Sequence, residues 1–154
     1  MNRFNELLEK FDSNTWPKTT NPFKILIIDD SLNIQQALKR ILIKKNYRVT
    51  FESTGQGGID ALTHETCAVI LDIKLPKMDG LQVYVKLKEK NPDVPIIFYS
   101  AYPGDNQIIK KCLSLNPYAF IEKGVAEDIE ALYLSIEKAA SENKDSKRKF
   151  STDK

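Results

Sequence analysis

A chain of 154 residues suits one domain with short extensions, and 42% apolar residues are enough for a real core. Charge is nearly balanced: 23 Lys and Arg against 21 Asp and Glu give +2, with 18 of each sign in residues 1–140. That neutrality argues against a dedicated nucleic-acid surface. No apolar run approaches the ~20 residues that span a membrane, and no apolar stretch of a signal peptide follows Arg3.

Residues 1–22 read as an N-terminal extension. Phe4, Leu7, Leu8 and Phe11 fall on one face at helical spacing, and Asp12-Ser13-Asn14 with Pro17 ends that pattern. The stripe and Trp16 are expected to pack on the rest of the chain or to pair two chains as a homodimer. From residue 23 a regular alternation begins. Short apolar runs predict strands at 24–29, 47–52, 67–71, 95–100 and 118–121. Helical patterns lie at 31–45, 58–64, 79–90, 105–114 and 125–141. Five such βα units, (βα)5, predict a doubly wound α/β fold, a five-stranded parallel sheet with helices on both faces. Ser31 and Asp79 are placed to cap the first and third helices. Asn116-Pro117 closes the fourth, since Asn tolerates a left-handed backbone and Pro cannot continue a helix. Gly55-Gln56-Gly57-Gly58 lacks phosphate-cradle spacing and reads as a flexible loop. His64 reads as a surface or capping residue. Cys67 and Cys112 have no partner pattern and read as small buried hydrophobes. Residues 23–141 are the predicted domain, and the polar, basic run 142–154 reads as a disordered tail.

The chemistry sits at the strand ends. Ile25-Leu26-Ile27-Ile28 runs into Asp29-Asp30, Val69-Ile70-Leu71 into Asp72, Phe98-Tyr99 into Ser100, and Phe120-Ile121-Glu122 into Lys123. In a parallel sheet these carboxyl ends share one edge, where ligands bind. Two carboxylates about 4 Å apart repel by roughly 4 kcal/mol at an effective dielectric of 20. Gathering three demands a counter-charge, and oxygen ligands with room for water suit Mg2+. A carboxylate can act as a nucleophile toward phosphorus. A metal and a Lys ammonium would then neutralise the transferred oxygens.

Over about residues 23–141 the chain resembles the receiver domains of two-component response regulators. The resemblance rests on Asp29-Asp30 after the first strand, on Asp72 through Pro76 to Asp79-Gly80, on Ser100-Ala101, and on Phe120 with Lys123. It implies a flavodoxin-like strand order 2-1-3-4-5. It implies Mg2+ held by Asp29, Asp30, Asp72 and the backbone carbonyl of Lys74, and phosphoryl uptake on Asp72 assisted by Ser100 and Lys123. Ser100 and Phe120 would be the switch pair. Lys74 and Tyr102 occupy positions that modulate phosphoryl lifetime in the family. The chain departs from the pattern at Gly124, where the family has Pro with a cis bond; a cis bond without Pro is costly, so trans is expected. The usual Gly-Ala before the fifth strand is Asn116-Pro117.

The resemblance implies a cytoplasmic, single-domain phosphoacceptor rather than an enzyme. Its partners would be a sensor histidine kinase or phosphotransfer protein and a downstream protein bound by the fourth helix, fifth strand and fifth helix. A receiver fragment of a larger regulator and a pseudo-receiver that binds without phosphorylation are the alternatives. A haloacid-dehalogenase-like phosphatase also uses an Asp nucleophile with Mg2+, but its nucleophile lies in D-x-D on the first strand, which Asp72-Ile73-Lys74 does not match.

Overall fold

The computed structural model describes residues 23–101 and 106–152. The N-terminal extension and Tyr102 lie outside the described residues. Five strands alternate with five helices: β1 Lys24–Ile28, α1 Leu32–Lys44, β2 Arg48–Glu52, α2 Gly55–Ala61, β3 Thr66–Leu71, α3 Gly80–Lys90, β4 Ile96–Ala101, α4 Asn106–Ser114, β5 Ala119–Lys123 and α5 Asp128–Thr152. The strands form one parallel sheet in the order β2-β1-β3-β4-β5, as the resemblance implied.

Strand periodicity explains the two cores. Side chains alternate across a strand, so Ile25 and Ile27 enter one cluster with Leu38, Leu42, Leu132 and Ile136 of α1 and α5. Leu26 and Ile28 enter the other, with Val83 and Leu87 of α3 and Cys112 of α4. Central β3 is buried at every position, whereas edge strand β5 is half-buried throughout. The two cysteines are free and buried. Among the described residues no helix is long and apolar enough to cross a membrane.

The predicted caps form. Ser31 Oγ accepts from the Ile34 N–H at 3.4 Å. Asp79 Oδ1 accepts from the Gln82 N–H at 2.9 Å, and Gln82 Oε1 accepts from the Asp79 N–H at 3.4 Å, a reciprocal box. Asn116 takes φ 57°, the left-handed turn expected of it.

Two expectations need correction. The glycine run is not a loop: α2 begins at Gly55, three residues before the predicted start. Thr54 Oγ1 accepts from the Gly57 N–H at 3.0 Å, and Gly58 lies so close to Ile28 that a Cβ there would collide with that side chain. The glycines let the helix press on β1, a tertiary gain that overrides their poor helix propensity. The second correction is at the other end. Helix α5 does not stop near residue 141 but continues to Thr152, so the run read as a disordered tail is helical through that residue. No Pro or Gly interrupts it. Asn143 Nδ2, buried, also ties this part of the helix to the sheet, donating to the Cys67 carbonyl at 3.2 Å.

Candidate functional site

The sheet order brings the predicted residues together. Asp29 and Asp72 leave the neighbouring strands β1 and β3, and their backbones are pinned there. The Asp29 N–H donates to the Glu52 carbonyl and the Asp72 N–H to the Ile28 carbonyl, each at 3.0 Å. Ser100 stands one residue before the end of β4 beside them, and Lys123 ends β5. Asp29, Asp72 and Ser100 are buried, while Asp30 is exposed.

Asp72 is held through both carboxylate oxygens. Its Oδ1 accepts from Ser100 Oγ at 2.7 Å and its Oδ2 from Lys123 Nζ at 3.1 Å. The same ammonium donates to Asp29 Oδ2 at 2.6 Å. Asp29 Oδ1 accepts from the Ser31 N–H at 2.9 Å. Burial pushes the Asp29 carboxyl above its usual range; the hydrogen bonds from Lys123 and Ser31 oppose that and the Asp72 charge reinforces it. The Lys123 ammonium thus answers two buried carboxylates, with Asp30 exposed beside them. Ligand oxygens of Asp29, Asp30 and Asp72 lie within 4.8 Å of one another. A cluster of three hard oxygen donors with excess negative charge fits Mg2+. Lys74, whose carbonyl is the fourth expected ligand, is exposed in the loop after β3.

That loop explains the Asp79-Gly80 pair. It folds back through Lys77 at φ 67°, and the Gly80 N–H donates to the Ile73 carbonyl at 2.6 Å. A Cβ on Gly80 would meet the Asp72 carbonyl oxygen, with the Ile73 Cα at 2.6 Å. Only glycine lets α3 start this close to Asp72.

Phe120 is half-buried on β5, its ring tilted against Phe98 with centroids 6.2 Å apart. Gly124 stands at φ 86°, and no described peptide bond is cis, so the Lys123–Gly124 bond is trans as expected. Three residues around the site escaped the sequence reading. Gln35 Nε2 donates to the Asp29 carbonyl at 2.6 Å. Asp128 Oδ2 accepts from the Gly124 N–H at 2.7 Å and from the Tyr99 hydroxyl at 3.1 Å. Tyr99 reads simply as part of an apolar strand, and nothing in the spacing links it to Asp128.

The model of the response regulator receiver domain matches residues 25–135. The chain belongs to that family. Receiver domains serve two-component signalling and are in general phosphoacceptors rather than enzymes. Chemotaxis protein CheY of Treponema pallidum is 30% identical over 108 residues, covering 66% of this chain and 73% of that protein. A cyclic di-GMP phosphodiesterase of Thermotoga maritima is 30% identical over 112 residues, 73% of this chain but 29% of that protein. Response regulator MprA of Mycolicibacterium vanbaalenii is likewise spanned over 35% of its length. The activities in those names are statements about the longer proteins. A receiver domain from Clostridium thermocellum superposes with a TM-score of 0.70 at 26% identity, covering 79% of this chain and 97% of that one. A CheY-like receiver from Methanospirillum hungatei gives 0.70 at 26%, covering 80% and 98%.

Proposed function

We propose that this receiver domain takes a phosphoryl group onto Asp72 from the phosphohistidine of a sensor kinase or phosphotransfer protein in the cytoplasm. A carboxylate oxygen of Asp72 bonds to phosphorus, the phosphorus–nitrogen bond breaks, and the donor histidine leaves. The observation that carries this reading is the double anchoring of Asp72, with Ser100 Oγ on one oxygen and Lys123 Nζ on the other. Asp29, Asp30, Asp72 and the Lys74 carbonyl would hold Mg2+, which supplies counter-charge to the phosphoryl oxygens when bound. Lys123 adds a second positive charge from the end of edge strand β5.

The product carries about −1.5 to −2 charges. Ser100 then gives up its bond to Asp72 and donates to a phosphoryl oxygen, and Lys123 forms a charge-assisted pair with another. Phe120, packed on Phe98 beside β4, follows the movement of Ser100 and reshapes the face of α4, β5 and α5. That face binds or releases a protein target. Moving the inactive-to-active ratio from 1:99 to 99:1 requires about 5.5 kcal/mol of preference for the active state.

Incubation with acetyl phosphate and Mg2+ is expected to add one phosphoryl mass to the intact chain, and a chelator to suppress it. Uptake that continues unchanged without divalent metal contradicts the reading.

A further inference from the structure

Lys123 is the last residue of β5, paired with Ala101 of β4, and the chain leaves the sheet directly after it. Gly124, next along the chain, is exposed at φ 86°, and a Cβ there would meet no heavy atom within 4 Å. A glycine in open space can take many conformations, so packing at Gly124 does not by itself set the course of the chain that leaves Lys123. Even so, Lys123 Nζ sits 2.6 Å from Asp29 Oδ2 and 3.1 Å from Asp72 Oδ2.

Asp128, the first residue of α5, ties the turn back to the sheet. Its Oδ2 accepts from the Gly124 backbone N–H on one side and from the Tyr99 hydroxyl on the other, at 2.7 and 3.1 Å. Its Oδ1 accepts from the Ile129 N–H at 2.7 Å. Tyr99 is 1% exposed on β4, immediately before Ser100, so its position is fixed by the core. Its ring lies 5.4 Å from Lys123 Nζ, within the ~6 Å reach of a cation–π contact. One tyrosine therefore touches the ammonium with its face and holds the following turn with its hydroxyl. Burial and the Asp128 charge push the Tyr99 phenol up, so it remains a donor at neutral pH.

We infer that Tyr99 and Asp128 are positioning residues for Lys123, a phenol–carboxylate clamp that fixes the β5–α5 turn and so the place of the ammonium at the phosphoacceptor. This inference rests on the proposed role of Asp72. Loss of the clamp leaves Lys123 in place in the sequence but lets its ammonium wander, and a displacement near 1 Å in a positioned group can cost about 100-fold in rate.

The test uses the full chain with acetyl phosphate and Mg2+. Asp128→Ala is expected to slow uptake by about 10- to 100-fold. In the unphosphorylated protein it should move the Gly124 amide upfield and shift the Lys123 Cε resonance. Asp128→Asn keeps a carbonyl oxygen for the Gly124 N–H and should restore most of both readings. Tyr99→Phe keeps the ring and loses the hydroxyl, and should fall between; it carries the test if Asp128→Ala does not fold. Because the clamp works through Lys123, Asp128→Ala in a Lys123→Ala background should slow uptake no further. An Asp128→Ala protein with the wild-type rate and an unmoved Lys123 Cε overturns the inference, as does a further loss in the double variant equal to that in the single. If the wild-type chain takes up no phosphoryl group, the function proposed for Asp72 fails. The clamp is then decided by the Lys123 resonance alone.

Discussion

Alanine at position 80 is expected to lower the melting temperature by about 10 °C, the consequence of about 3 kcal/mol of overpacking in a chain of this size. The added methyl would meet the backbone of Asp72 and Ile73, with the Ile73 Cα at 2.6 Å, and neither can rotate away as a flexible side chain could. Relief requires α3 to retreat from β3, which stretches the 2.6 Å bond from the Gly80 N–H to the Ile73 carbonyl. On the function proposed above the damage reaches phosphoryl uptake as well, because the displaced backbone is that of Asp72, the proposed acceptor. Gly124→Ala is the control: it pays for a left-handed backbone but meets no atom, so it should cost only about 1–2 kcal/mol. Thermal denaturation of both variants checks the pair. A Gly80→Ala protein that melts with wild type would mean the contact relaxes without strain.

Lys123→Ala carries the second large effect. It removes the ammonium that answers Asp29 and Asp72 at once, leaving two buried carboxylates without their cation. Breaking a buried pair this way costs about 3–5 kcal/mol, and the 13% exposure of Lys123 places the expected loss near the lower end, about 3 kcal/mol. Its dependence on pH has a definite sign. The Asp29 carboxyl is already raised above its ordinary value of 3.8 by burial, against the opposing influence of Lys123. Removing Lys123 raises it further. A carboxyl whose folded-state pKa exceeds its unfolded value stabilises the fold below the unfolded pKa, and that contribution is lost as pH rises through the folded pKa. The deficit of Lys123→Ala should therefore shrink on acidification from neutral pH. If Mg2+ binds the folded state at Asp29, Asp30 and Asp72 as proposed, adding it should raise the melting temperature of Lys123→Ala more than that of wild type. A deficit that is flat with pH and indifferent to Mg2+ would contradict this electrostatic account.

The strand-end residues were legible because each lies at the end of an apolar run, and parallel pairing brings such ends to one edge whatever their separation in sequence. Lys123 and Asp29 meet across 94 residues for that reason. The caps at Ser31 and Asp79 were legible because their chemistry is local. What escaped depends on contacts between elements. Gly55 to Gly58 form a helix because Gly58 packs on Ile28, which no local propensity reveals. The pairing of Tyr99 with Asp128 spans 29 residues between a core strand and a helix start, and neither residue type announces the other. The length of α5 was underestimated because a polar run reads as disorder even where nothing in it stops a helix.

Acyl phosphates are reduced by borohydride, and an aspartyl phosphate becomes homoserine at the modified position. The most direct measurement is therefore borohydride trapping of the chain after exposure to acetyl phosphate and Mg2+, followed by peptide mass analysis. Homoserine at position 72, and none when Asp72→Asn is treated in the same way, is the expected result. Homoserine at position 29 or 30, or at no position in a chain that has gained phosphoryl mass, would contradict the assignment of Asp72 as the acceptor.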